Sequence, residues 1–174
     1  MSLFILRHEI AEERCPHNFP DDSRRPLTDK GEDRILKICE ALQKLKLRFD
    51  VILTSPFHRA RSTAEIVARR MRSNKPPRLC EELKPGGDIE ALIREIKILR
   101  PGINDILVVG HEPDLSHLVS RLISGRPEAL LELKKGGLAK LRFPRTHQPG
   151  HFATLAWLLT PRQLLLLAGS PAVD

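Results

Sequence analysis

The chain has 174 residues, 41% of them hydrophobic and 29% charged, a size that fits a single domain, residues 1–174, whose core needs neither disulfides nor structural metal. Its longest apolar stretch, Leu164–Ala168, is far short of the roughly 20 residues of a membrane span, and the opening MSLFILRHE lacks the basic region and cleavage site of a secretory leader. The 29 Lys and Arg against 22 Asp and Glu leave a net charge of +7, which fits either a polyanionic partner or the attraction of a small anionic substrate; with no Tyr and one Trp there is little for bases to stack on, so no nucleic-acid partner and no membrane partner is expected.

Leu3-Phe4-Ile5-Leu6 is a short unbroken apolar run, the pattern of a strand buried on both faces. The polar stretch from Glu9 to Pro26 reads as a long loop, and ordered loops of that length usually carry function. Thr28 is placed to cap a helix whose apolar stripe is Ile35, Ile38, Cys39, Leu42 and Leu45. Val51–Thr54 reads as a second buried strand, and Ser55-Pro56 as the start of a helix from Phe57 to about Met71. Arg78–Leu83 is expected to be a short strand, and Asp88 to cap a third helix carrying Leu92, Ile96 and Leu99, stopped by Pro101-Gly102. Ile106–Val109 is the third central strand, with a helix from about Pro113 to Ser124 behind it. Gly137–Phe143 and Phe152–Leu158 read as an antiparallel edge pair, and Pro161–Leu167 as a terminal helical turn. Alternating strands and helices predict an α/β fold, a three-layer α/β/α sandwich around a mostly parallel sheet.

Each of the three clearest strands runs into a polar cluster: Arg7-His8, Thr54-Ser55 and Gly110-His111-Glu112. Ligands of open α/β sheets sit beyond the carboxyl ends of the strands, so parallel neighbours would bring these clusters to one cleft. Arg7, His8, Arg59 and His111 then form an anion pocket with an imidazole nucleophile. Guanidinium forks match phosphate oxygens, and a neutral imidazole nitrogen can attack phosphorus and hold it covalently. No carboxylate cluster accompanies these strand ends, so neither metal nor cofactor is expected. The three cysteines, Cys15, Cys39 and Cys80, are scattered and odd in number, which points to a reduced, cytoplasmic chain with Cys39 packed in its helix. His58 reads as a rim residue, His17, His147 and His151 as solvated, and His117 as helix surface or local packing.

Leu6-Arg7-His8, Arg25-Pro26-Leu27-Thr28 with Gly31, Ser55-Pro56-Phe57-His58-Arg59-Ala60 and Gly110-His111 together resemble the histidine phosphatase superfamily, the phosphoglycerate-mutase-like enzymes, and in particular its SixA-type phosphohistidine phosphatases. The resemblance runs from about residue 3 to 120. It implies that His8 is the phosphorylated nucleophile, that Arg7, Arg59 and His111 hold the phosphoryl oxygens, and that Arg25 lies near the pocket to contact substrate or phosphate. Glu82, in Glu81-Glu82-Leu83-Lys84-Pro85, matches the family's acid segment loosely. The implied reaction is metal-independent hydrolysis of a phosphohistidine or phosphomonoester through phospho-His8. The partner is then a phosphorylated histidine phosphotransfer protein or a small phosphorylated substrate. One position departs from the family: its usual Arg-His-Gly reads Arg7-His8-Glu9. Glu9 is expected to turn to solvent or pair with a nearby Arg; the other readings are a proton donor and a side chain that crowds the pocket. The rival functions are a non-catalytic phosphoprotein-binding module on this fold, an RNA-binding protein and a small-molecule phosphatase.

Overall fold

Leu3, Phe4, Ile5 and Leu6 are all buried yet feed two different cores, because successive side chains of a strand leave on opposite faces. In the computed structural model, which describes residues 1–99, 102–144 and 153–170, this strand is β1 (Ser2–Arg7). It belongs to a six-stranded sheet with β2 (Val51–Thr54), β3 (Arg78–Leu79), β4 (Asp105–Gly110), β5 (Leu138–Arg142) and β6 (Thr154–Leu159), in the order β3-β2-β4-β1-β5-β6. The first four run parallel; β5 pairs antiparallel with β1, and β6 antiparallel with β5. The described helices are α1 (Asp29–Lys44), α2 (His58–Arg70), α3 (Ile89–Leu99), α4 (Asp114–Ser124) and α5 (Pro161–Ala168).

One core joins Leu3, Ile5, Ile106 and Val108 to Leu92 and Ile96 of α3 and Leu115 and Leu118 of α4. The other joins Phe4, Leu6, Leu107 and Val109 to Ile35 and Leu42 of α1, Val67 of α2 and Leu164 of α5. Helices thus cover both faces of the sheet, the three-layer sandwich expected from the alternating pattern. Cys39 is buried in the second core, and burial pushes its thiol up to about 12.

Local signals explain most boundaries. Thr28 accepts the Gly31 N–H at 3.0 Å and starts α1. Asp88 accepts the Ala91 N–H at 3.0 Å ahead of α3. Thr160 and Gln163 cap each other reciprocally at α5, which is a full packed helix rather than the single turn expected. Ser55 does not begin α2; its hydroxyl accepts the Phe57 N–H at 3.2 Å one residue before the helix. The expected strand Arg78–Leu83 is shorter: after Leu79 the chain enters a 3-10 turn over Glu81–Leu83 that tucks Leu83 into the first core. The long loop from Glu9 is tied down by a bridge between Ala11 and Leu27 and by a 3-10 turn over Asp22–Arg24. Pro101, His147, His151 and Phe152 lie outside the described residues.

The sheet order decides where chemistry can gather. β2, β4 and β1 are consecutive parallel neighbours, with Thr54 in register with Val109 and Arg7 with Gly110. Their polar carboxyl ends therefore open at one edge of the sandwich.

Candidate active site

At that edge is a cleft of about 470 Å³. Arg7, His8, Arg25, Arg59 and His111 all line it, so five of the six residues singled out from the sequence come together; Glu82 does not.

His8 is buried just past the end of β1, held in place by its own N–H on the Gly110 carbonyl at 3.1 Å. Its Nδ1 lies 2.6 Å from the Glu9 carbonyl oxygen. A carbonyl only accepts, so Nδ1 carries the proton and the lone pair is on Nε2. Nε2 in turn receives the Arg59 Nε–H at 3.3 Å. Burial first, then the charges of Arg59, Arg7 and Lys135, lower the His8 pKa from 6.5 to about 3 against the opposing Glu9 bond, so the ring is neutral near pH 7. A neutral imidazole with a fixed tautomer and its lone pair on Nε2 is the form that attacks phosphorus.

Arg59 is buried under Asp22, a residue of the long loop. Its Nη2 lies 3.0 Å from Asp22 Oδ2, its Nη1 donates to the Asp22 carbonyl at 2.9 Å, and its guanidinium sits 5.1 Å from the Phe57 ring centroid. Arg25 donates its Nε to Asp22 Oδ1 at 2.9 Å and an Nη1 proton to the Glu12 carbonyl at 2.7 Å. His111 pairs through Nε2 with Ser55 Oγ at 2.9 Å, and its ring centroid lies 5.0 Å from that of His8. Burial first, and then the charges of His8 and Arg59, bring its pKa down to about 2. Arg7 donates to the Leu133 carbonyl at 2.7 Å. Arg7 Nε and His111 Nδ1 are buried without a hydrogen-bond partner among the described residues, so both are available to an oxyanion entering the cleft. Four guanidiniums, those of Arg7, Arg14, Arg25 and Arg59, and two neutral imidazoles around one cleft make a site for a dianionic oxyanion beside a nitrogen nucleophile.

Residues 3–101 match the family model of the histidine phosphatase superfamily, branch 1. The chain belongs to this superfamily, and it is a phosphatase. Phosphohistidine phosphatase SixA of Escherichia coli is 32% identical over 126 residues, 72% of this chain and 76% of that protein. An uncharacterized protein of Picosynechococcus sp. is 36% identical over 167 residues, covering 95% of this chain and 99% of its own. Among solved structures, the protein histidine phosphatase SixA complexed with tungstate superposes with a TM-score of 0.81 at 28% identity, over 92% of this chain and 97% of that one.

The position at which this histidine phosphatase departs from the Arg-His-Gly pattern is fully buried and does not line the cleft. Glu9 points toward α1: its Oε2 accepts the Ile10 N–H at 2.9 Å, and its Oε1 lies 3.6 Å from Arg34 Nη2. The expected Arg partner exists, but the side chain is sealed in rather than solvated. Burial, opposed by Arg34, raises the Glu9 pKa from 4.5 to about 7. Gly136 makes the room: it has φ +77°, and a Cβ there would lie 1.9 Å from Glu9 Oε1. The Glu9 N–H also donates to Thr63 Oγ1 of α2 at 3.3 Å. Neither crowding of the pocket nor proton donation by Glu9 agrees with this placement.

Glu82 faces elsewhere. Its Oε2 accepts the Cys80 thiol at 3.3 Å, and it lines a separate groove with Glu95 and Ala91. His58 and His17 are exposed, and His117 is half-buried on α4. Four charged residues line the cleft that sequence reasoning did not promote: Arg14, Asp22, Glu112 and Lys135. Glu112 stood in the polar cluster after the third strand, a signal sufficient to include it. Asp22 was legible only as a loop residue, and Lys135 arrives from the turn before β5 with no local motif.

Proposed function

We propose that this phosphatase removes a phosphoryl group from a histidine of a phosphotransfer protein, through a covalent intermediate on its own His8. The observation that carries the reading is the His8 ring itself: neutral, with Nδ1–H committed to the Glu9 carbonyl and Nε2 toward Arg59. Phosphoryl oxygens entering the cleft compete with Nε2 for the Arg59 Nε–H, so binding the substrate frees the lone pair that attacks it. Arg7, Arg59 and His111 then carry the charge that spreads over the three oxygens, with Arg25 at the margin. Water attacks the phosphorus in the second step, the P–N bond breaks, and the ring returns neutral.

Three further observations support a protein substrate in this reading. The relative of known activity, from Escherichia coli, is named a phosphohistidine phosphatase. Between α2 and α3, residues 71–88 hold only β3 and one 3-10 turn, so no inserted cap domain stands there against a macromolecular partner. The basic rim formed by Arg14 and Lys135 suits an acidic surface around a phosphorylated side chain. The reading takes residues 1–174 as one domain and the cytoplasm as its compartment, which the three free cysteines favour; no described helix is long and apolar enough to cross a membrane.

Rapid quench with a labelled, phosphorylated histidine phosphotransfer domain tests it. The parent chain should accumulate an acid-labile, base-stable phosphoenzyme, and His8→Ala should form none and lose turnover. Because the charge stabilisation comes from guanidiniums, EDTA should leave the rate unchanged. Turnover that survives in His8→Ala overturns the proposal.

A further inference from the structure

Away from the cleft, the described residues bring together three side chains able to hold one metal ion: Cys80, Glu82 and Glu95. Cys80 follows β3 and is 3% exposed. Its N–H donates to the Thr54 carbonyl of β2 at 2.9 Å, so the sheet holds the residue that carries the sulfur. Glu82 belongs to the 3-10 turn and Glu95 to α3. Glu82 Oε2 lies 3.3 Å from Cys80 Sγ, and Glu95 Oε2 lies 3.1 Å from it. All three ligand atoms are within 4.8 Å of one another. No sequence spacing announces this group, because Glu95 is 15 residues from Cys80 and meets it only where α3 packs on the turn.

The charges of the group do not balance. A thiol has one proton, which can point at one carboxylate only. The other carboxylate then faces the sulfur with no proton between them. Glu95 has a cation on its far side, where Oε1 pairs with Arg78. Glu82 has no ion pair among the described residues: Lys84 pairs with Glu81, and Arg94, across the groove, lies 3.7 Å from Asp88. A half-buried carboxylate turned toward a buried sulfur costs free energy until a positive charge is supplied. The space between the three atoms suits one. Around a tetrahedral zinc ion, with Zn–S of about 2.3 Å and Zn–O of about 2.1 Å, neighbouring ligand atoms stand roughly 3.5 Å apart. Both sulfur–oxygen separations are a few tenths of an ångström short of that value. A groove of about 490 Å³ opens over the group and leaves a fourth position to water.

We propose that Cys80, Glu82 and Glu95 form a binding site for a sulfur-preferring divalent cation, zinc above all, which clamps the 3-10 turn to α3 outside the active cleft. As the Zn–S bond forms, the S–H bond breaks and its proton passes to solvent. A thiolate and two carboxylates around a divalent ion leave one negative charge, which Arg78 balances. The sulfur sets the preference, since magnesium and calcium favour shells of oxygen alone. The ion takes no part in phosphoryl transfer. Its effect is on position: Pro85, two residues past the turn, lines the cleft, so tying the turn to α3 fixes that part of the wall.

Cadmium titration of the full chain, followed in the ultraviolet, tests the site. A thiolate–cadmium bond adds a charge-transfer band that carboxylates, and the imidazoles of the cleft, cannot give. The band should saturate at one equivalent, and zinc should displace the cadmium with a Kd of about 1 μM or below. Calorimetry in two buffers should show about one proton released for each zinc bound. Cys80→Ser should abolish the band and Cys15→Ser should keep it. Glu82→Gln leaves both the sulfur and the Arg78–Glu95 pair in place. It should weaken zinc binding about ten-fold or more while leaving kcat on p-nitrophenyl phosphate unchanged. A parent that shows no band in excess cadmium, a band that survives in Cys80→Ser, or zinc affinity equal in Glu82→Gln and the parent overturns the inference. Should Cys80→Ser fail to fold, the zinc affinities of Glu82→Gln and Glu95→Gln decide alone.

Discussion

Asp22 sits where a substrate's negative charge must go. Its carboxylate spans Arg25 and Arg59 at 2.9 and 3.0 Å, and its carbonyl takes a third bond from Arg59 at 2.9 Å. Without an anion these contacts keep the buried guanidinium from being left unpaired; with one, the carboxylate competes with the incoming oxygens. Asp22→Asn keeps the backbone bond and most of the shape but removes the competing charge. Tungstate should bind that variant about three- to ten-fold more tightly, in line with the roughly 1 kcal/mol that a partly exposed ion pair contributes. Isothermal titration at low ionic strength reads the difference directly, and weaker binding would mean that Asp22 positions Arg59 rather than opposing the ligand.

At the scale of elements, the turn before β5 and the loop after β1 are fitted to each other. Gly136 has a backbone that L side chains rarely adopt and faces Glu9 Oε1 and Ile38 Cδ1, while its N–H donates to the Arg7 carbonyl at 3.1 Å. Gly136→Ala should cost about 2–4 kcal/mol, part from the positive φ and part from overpacking. In a Glu9→Gly background the share of overpacking that falls on Glu9 should disappear and only the contact with Ile38 Cδ1 remain, so the two substitutions should couple by about 1 kcal/mol or more in urea unfolding; simple additivity would show that the turn moves independently of Glu9. The contrast with α1 is instructive. There Gly31 lets the Ile10 carbonyl come within 2.1 Å of where a Cβ would be, and the motif containing Gly31 was recognisable in the sequence. Arg7, His8, Arg59 and His111 were legible for the same reason: each follows or flanks an apolar run with a clear period. Gly136 and Lys135 were not, because what gives them meaning is an antiparallel pairing with a strand more than a hundred residues earlier. Glu82 misled because Leu83 is drawn into the core, and the 3-10 turn that buries it directs the neighbouring carboxyl toward Cys80.

For the molecule as a whole, the site sets the dependence of stability on pH. Glu9 has a folded pKa raised from 4.5 to about 7, so its contribution is present below pH 4.5 and is lost as pH rises through about 7. His8 and His111, lowered from 6.5 to about 3 and about 2, act in the opposite sense: their contributions are present above pH 6.5 and are lost as pH falls toward those values. Glu9→Gln removes only the first effect. Its stability relative to the parent should rise between pH 5 and pH 8 by on the order of 2 kcal/mol, read from urea midpoints at the two pH values; an unchanged difference would mean that Glu9 titrates as an ordinary carboxyl. The strand order has a consequence of another kind. β1 carries the nucleophile at its end, yet its partners are β4, about a hundred residues later, and β5, later still. As the ribosome extends the chain, Leu3–Leu6 emerges about a hundred residues ahead of its neighbour and waits with both edges bare until β4 has been made. The catalytic strand is thus made well before either neighbour and finds its place only after both, and in that interval its apolar run is a part of the chain in need of shelter.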